Sequence, residues 1–176
     1  MQLRHTLPYL MTVAVLAATT AFAGTVTGTN TVTNSAASAK VKIRKAITLT
    51  NTADLDFGGV VVTGVAASTV TVTAAGVLTT AVGGDILAFF NTPAAAGFTV
   101  GGTPNATYAI NAIPGVSMNG PAPATPIPVA FTLSKVGGTL SAGGSDTFTV
   151  GGTASIPATV TAGDYTNVFS VTVLYN

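Results

Sequence analysis

The chain has 176 residues with a formal net charge of +1, no cysteine, no glutamate and one histidine. The missing cysteines exclude a disulfide framework and thiolate chemistry, and with glutamate absent the usual acid–base and nucleophile pairings lack parts. Charged residues are only 6% and hydrophobic ones 48%, with a mean hydropathy of +0.62, so a folded core is expected rather than disorder.

Residues 1–23 read as a signal peptide. Arg4 and His5 give a short positive start, "LPYLMTVAVLAATT" is an apolar run too short to span a membrane, and "AFA" ending at Ala23 has the small-x-small form of a cleavage site. Removing them leaves Lys40, Lys42, Arg44, Lys45 and Lys135 against Asp54, Asp56, Asp85, Asp146 and Asp164, a formal balance of zero. Such a chain offers no electrostatic footprint for nucleic acid. It contains no second membrane-length stretch. The expectation is a secreted, extracellular protein.

Residues 24–38, "GTVTGTNTVTNSAAS", are rich in Thr and Val. In an extended segment Val26, Gly28, Asn30 and Val32 share one face and Thr25, Thr27, Thr29 and Thr31 the other. So little apolar bulk suits either a frayed tail or a strand meant for another molecule.

From residue 39 to 176 one all-β domain is expected. Strand candidates are "AKVKIRKAITLT", "GVVVTG", "STVTVTA", "DILAFFN", "GFTVGG", "ATYAINAI", "PVAFTLSK", "DTFTVGG" and "YTNVFSVTVLY". Gly-Gly pairs at 58–59, 83–84, 101–102, 137–138, 143–144 and 151–152, with Asn119-Gly120, are read as turns. Many short strands and no helical period indicate an antiparallel sandwich or barrel. In the first candidate Lys40, Lys42 and Arg44 alternate with Val41 and Ile43. They are read as a solvated outer strand face that discourages edge aggregation, ahead of a nucleic-acid or glycan site. The proline-rich "PGVSMNGPAPATPIPVA" is read as an exposed connection.

The last candidate strand, 165–175, places Tyr165, Asn167, Phe169, Val171, Val173 and Tyr175 on one mainly apolar face. With Asn176 alone following it in the sequence, its free edge is expected to lack a later partner. Asp54 and Asp56 in "DLDFGG" offer two oxygen ligands without a surrounding set, so solvated or turn-capping aspartates are expected rather than a metal site. The Gly-Gly pairs lack the lysine and helix of a phosphate cradle. Asn105-Ala106-Thr107 is a formal glycosylation sequon of low specificity. No cofactor, metal or enzymatic activity is expected.

The "DLDFG" box, the F-T-V-G-G segments at 98–102 and 148–152, and the Gly163-x-Tyr165 opening of a C-terminal strand ending in Tyr175-Asn176 have a family look. With the missing cysteines, they resemble the domain of unknown function 4402 family over roughly residues 40–176. That family is similar to spore-coat-type and chaperone–usher fimbrial subunits. The resemblance implies an incomplete immunoglobulin-like sandwich completed by a neighbour's strand, with Tyr175 in the place of the tyrosine next to a pilin's last residue. Many such subunits carry a disulfide, which this chain lacks.

The resulting expectation is a structural subunit of an extracellular fimbria, reached through the periplasm. Residues 24–38 would complete an identical neighbour's sheet along 165–175, head to tail. A periplasmic chaperone with an outer-membrane usher, or spontaneous assembly, are both open routes. The alternative is a monomeric secreted or surface adhesin or binding module.

Overall fold

The computed structural model describes residues 37–81 and 85–176. The expected signal peptide, the donor positions Val26, Gly28, Asn30 and Val32, and Gly83-Gly84 lie outside the described residues. Residues Ile43–Asn176 gather into one compact unit, and the fold below is that unit's.

All of its regular elements are strands. In chain order they are β1 (Thr48–Ala53), β2 (Gly59–Val62), β3 (Ser68–Val72), β4 (Leu78–Ala81), β5 (Ile86–Phe90) and β6 (Ala96–Gly101). Then come β7 (Thr107–Ile110), β8 (Val116–Met118), β9 (Ile127–Leu133), β10 (Gly137–Thr139), β11 (Ser145–Ile156) and β12 (Val173–Tyr175). Every pairing is antiparallel. The architecture is the all-β antiparallel sandwich that the frequent turns and β-branched residues imply.

The twelve-residue β11 organises the large sheet. One of its edges pairs with β6 along Ser145–Val150 and with β3 along Gly152–Ile156, so those two strands abut end to end. Its other edge carries β9, and β8 pairs with β9 beyond it. β1 closes the β6 side and β4 the β3 side. The small sheet, in the order β10-β7-β12, covers the β6 half. There Tyr108, Ile110 and Leu140 pack on Phe98, Val100, Phe148 and Val150. Phe98 and Phe148 stack with ring centroids 5.2 Å apart. A second cluster, built on Val70, Ile127, Val129, Ala154 and Ile156, fills the other half.

Gly151 and Gly152 sit where the two halves meet. Phe148, Val150, Ala154 and Ile156 all point inward at the two-residue period of a strand, and Gly152 is the one gap in that row. Leu55 Cδ2 and Phe57 Cζ would lie 3.1 and 3.2 Å from a Cβ there, so the apolar half of "DLDFG" drapes over the glycine. Leu55 joins the first cluster and Phe57 the second.

Several expectations change. The pairs Gly151-Gly152 and Gly137-Gly138 lie inside β11 and β10 and are not turns. At Gly137 the reason is close approach, since a Cβ would sit 2.5 Å from Tyr108 O. Gly143-Gly144 and Gly58 do turn, with positive φ at Gly144 and Gly58. The first strand begins at Thr48 rather than at the basic residues, so Lys40, Lys42 and Arg44 form no strand face. Thr48 pairs with Gly101, the last residue of β6, and the ladder has nothing to continue on. The proline-rich segment is not wholly a loop: its ends form the β8–β9 hairpin, Val116 opposite Val129 and Met118 opposite Ile127. Its prolines are accommodated because only Pro128 enters a strand, opposite Ser117.

Asp85, 1% exposed, is a buried carboxylate that the sequence did not single out. It accepts hydrogen bonds from Gly64 N (2.7 Å), Val65 N (3.1 Å) and the Thr63 hydroxyl, and so fixes the turn after β2.

Candidate functional site: an open edge beside the first core cluster

The C-terminal segment keeps its strand alternation except at Asn167. Tyr165, Phe169, Val171, Val173 and Tyr175 are half-buried, while Thr166, Val168, Ser170, Thr172 and Leu174 are exposed. Only Val173–Tyr175 is a laddered strand, because a partner edge exists only there. Upstream, Thr166 bridges to Asn119, and the Asn167 side chain donates to Ser117 O at 2.7 Å. The expected face therefore divides. Tyr165 packs on the second cluster, with its hydroxyl on Thr161 O, and Asn167 is exposed. Phe169, Val171, Val173 and Tyr175 pack on the first. Phe169 lies 4.4 Å from Phe131 and edge-on at 6.3 Å to Phe98.

The backbone of this segment is directional. Thr172 O accepts from Asn111 N, and Asn176 N donates to Thr107 O. Thr172 O and Asn176 N are thus spent on the β7 side. By alternation the N–H and C=O of Val171, Val173 and Tyr175 point to the opposite edge. Among the described residues that edge has no strand beside it, and the backbone of Phe169, Ser170 and Val171 has no hydrogen-bond partner. The same odd-numbered residues offer half-buried apolar side chains and unpaired backbone groups.

The other free edge nearby is β1, the end strand of the large sheet. Ile47 and Leu49 pack on the same first cluster as Phe169–Tyr175. Asn51, opposite Phe98 in the ladder, is exposed. Two edges, one from each sheet, therefore flank a partly covered apolar core.

At one end these edges are tied together. The Tyr175 hydroxyl accepts from Thr103 N at 2.7 Å and donates to Lys45 O at 2.8 Å. Lys45 N in turn donates to Thr103 Oγ1 at 2.7 Å. The Arg44 guanidinium lies over the Tyr175 ring, 4.9 Å from its centroid, and donates to Asn176 O at 2.9 Å. A Cβ on Gly102 would fall 2.1 Å from the Tyr175 hydroxyl, so the glycine gives the ring its seat. Sequence reading singled out Tyr175 but not Arg44, Lys45 or Thr103 as its partners. The cation-before-strand pattern was visible; the pairing across more than a hundred residues was not.

Two other polar features are structural. Asp56 caps its own turn, Oδ1 accepting from Gly58 N at 2.7 Å, and Asp54 accepts from the Asn51 side chain at 3.3 Å. Asp146 receives Lys135 Nζ at 2.7 Å, the Tyr108 hydroxyl at 2.9 Å and Thr147 N at 2.8 Å. Burial acts to raise the Asp146 carboxyl, but the hydrogen bonds from Lys135, Tyr108 and Thr147 outweigh it and hold it below the usual aspartate range. Burial first, then the Asp146 acceptor, pushes the Tyr108 phenol up.

A carboxyl depressed in the fold contributes stability above its unfolded pKa and loses it as pH falls through the folded value. Asp146→Asn is therefore expected to cost about 1–2 kcal/mol at neutral pH and to flatten the acid limb below about pH 4. Urea midpoints of both proteins between neutral and acid pH check this. Parallel profiles would refute the assignment.

The fold and site define an all-β sandwich protein with an unpaired, partly apolar edge running to its C-terminal strand. Residues 47–175 match the family model described as "Domain of unknown function (DUF4402)", and the chain belongs to that family. The match runs from Ile47, just before β1, to Tyr175 at the end of β12, so it takes in both free edges. No curated protein and no solved structure matched the chain.

Proposed function

We propose that the protein is a structural subunit of an extracellular filament, in which the 24–38 segment of one copy adds as a strand beside the C-terminal segment of the next. The observation that carries this reading is the coincidence at Phe169–Tyr175 of half-buried apolar side chains with backbone groups aimed at a vacant edge. Strand addition satisfies both at once, as it does in pilin complementation.

The energetics support it. Full burial of each donor valine contributes roughly 1.5–3 kcal/mol, and each net ladder hydrogen bond about 0.5–1.5 kcal/mol. Ordering the seven positions from Val26 to Val32 costs about 1–2 kcal/mol per residue, which the two valines and the ladder bonds only about offset, so the surplus comes from an unfinished core in the acceptor whose apolar side chains the donor also removes from water. Leu49, Leu55, Phe169, Val171 and Val173, all half-buried against the first cluster, support the reading of an unfinished core. Donation from one end to the other does not close on itself, so the product is a fibre. Export follows from the signal-like residues 1–23, and a chaperone and usher are one route to assembly.

A second reading, a monomeric surface binding module, is favoured by the β2–β5 ribbon. Its Leu87 and Phe90 are 65% and 56% exposed, large for apolar side chains on a free surface.

The test compares the exported wild-type chain with a Val26→Asp, Val32→Asp double variant. Negative-stain microscopy and unheated gel electrophoresis should give filaments and a heat-sensitive ladder for the wild type and monomers for the variant. Equal ladders would remove residues 24–38 as the donor, and a folded monomeric wild type would favour the binding module.

A further inference from the structure

We infer that the Arg44–Lys45–Thr103–Tyr175 clasp is the register stop of the acceptor edge. It fixes where an added strand ends and leaves the Phe169 end as its point of insertion. This rests on the strand-addition reading and deepens it.

The geometry is asymmetric along the edge. At Tyr175 the chain leading into β1 is held to β12 by the hydroxyl, which is a donor to Lys45 O and an acceptor from Thr103 N. Arg44 lies over the ring and donates to the Asn176 carbonyl. On this inference a strand advancing along the outer edge of β12 is halted at the end where the Tyr175 hydroxyl ties Lys45 and Thr103 together. At Phe169–Val171 no such tie exists among the described residues, and the backbone is unpaired.

A stop of this kind has a physical purpose here. The donor segment alternates Thr with Val, Gly and Asn, so shifting it by two residues keeps a similar pattern on the groove. Weakly patterned, Gly- and Thr-rich strands specify register poorly by themselves. A fixed end supplies the register that side-chain pattern does not. Tyr175 suits the task because its ring is seated on Gly102 and both hydrogen-bonding roles of its hydroxyl are filled, so it has no alternative rotamer of equal energy.

The absence of cysteine makes the test clean. One tagged copy carries Leu174→Cys, an exposed position outside the apolar face. An untagged copy carries Cys at Thr25, Thr27, Thr29 or Thr31, the donor residues on the matching outer face. Directly opposed cross-strand positions lie within disulfide reach, and positions two residues away do not. After co-assembly and mild oxidation, one of the four donor positions should dominate the inter-copy cross-link. In Tyr175→Phe, which keeps the ring, and separately in Arg44→Gln, that single dominant cross-link should be lost and the product spread over neighbouring positions while the heat-sensitive ladder persists.

An unchanged single position in both variants would overturn the register stop and leave strand addition standing. A dominant position lost only in Tyr175→Phe would confine the stop to the hydroxyl and overturn the part given to Arg44. No inter-copy cross-link at any position, in the wild-type background, would remove the strand-addition reading itself.

Discussion

Val171→Lys is expected to leave the subunit folded and to abolish its assembly. In the isolated chain Val171 is half-buried beside an edge that has no strand next to it among the described residues. A lysine there lays its stem on the apolar floor and carries the ammonium to water. The folding cost should stay near that of one lost apolar contact, about 1–2 kcal/mol. Once a neighbour's strand covers the edge, the ammonium loses that exit. No aspartate or glutamate occurs in the segment Phe169–Asn176 to pair with it, and an unpaired buried charge costs several kcal/mol.

The concentration needed for assembly should therefore rise by at least about a hundredfold, equivalent to about 2.7 kcal/mol. Thermal denaturation reads the first effect, and sedimentation with unheated gels reads the second. Ser170→Lys, on the exposed face of the same segment, should change neither. A Val171→Lys protein that assembled like wild type would place the donor somewhere other than this edge.

Gly151→Ala is expected to be the most damaging single methyl in the domain. A Cβ at Gly151 would lie 2.3 Å from Val72 O and 2.5 Å from both Ala74 N and Thr73 C. These are main-chain atoms of β3 and the turn that follows it, where β3 hands over to β6 along β11, so no side-chain rotation relieves the overlap. The cost should reach about 3 kcal/mol, at the upper end for overpacking, or roughly 10 °C in Tm for a domain of this size. Gly143→Ala is the control. Its Cβ would meet only Ser141 Oγ at 3.6 Å, an ordinary contact, and should be close to neutral. Denaturant unfolding of the two variants decides it; equal midpoints would mean that β3 and β11 separate more easily here than their packing implies.

The Gly151-Gly152 site also shows where sequence reading loses its grip. A Gly-Gly pair is a sound turn signal when only local conformation is considered, and Gly143-Gly144 obeys it with a positive φ at Gly144. At 151–152 the same dipeptide serves the opposite end: it lets a strand run straight through while other chain segments press against it. Gly151 admits the main chain after β3, and Gly152 admits Leu55 and Phe57. Nothing local distinguishes the two uses, because the atoms that require glycine come from residues 55–57 and 72–74. The short strands β4, β8 and β10 escaped notice for a related reason. Three or four residues of Leu-Thr-Thr-Ala or Gly-Gly-Thr carry little pattern, and their pairing with β3, β9 and β7 makes them strands.

The basic run makes the same point in reverse. Lys40, Val41, Lys42, Ile43 and Arg44 alternate as well as any strand in the chain, yet β1 starts at Thr48. Alternation describes what a segment could present; a ladder also needs a neighbour, and β6 ends at Gly101. Arg44 meanwhile acquires a position that its alternation did not suggest, above the ring of Tyr175.

What the sequence determined by itself is the chemistry of the material. The β-branched and glycine-rich composition dictates strands and excludes long helices. The missing cysteine excludes disulfides and thiolate chemistry. The period-two pattern from Tyr165 to Tyr175 assigns each side chain to its face, and the observed burial follows it except at Asn167, which is exposed. That pattern is local, since successive residues of any extended chain point to opposite sides. What only the tertiary structure decided is which edges are used. Whether a backbone group is paired depends on where another segment runs out: β7 serves Val173–Tyr175, Asn119 reaches Thr166, and Phe169–Val171 falls between them. The clasp, too, exists because folding brings residues 44–45, 103 and 175–176 to one corner, a coincidence of distant segments that no local pattern encodes.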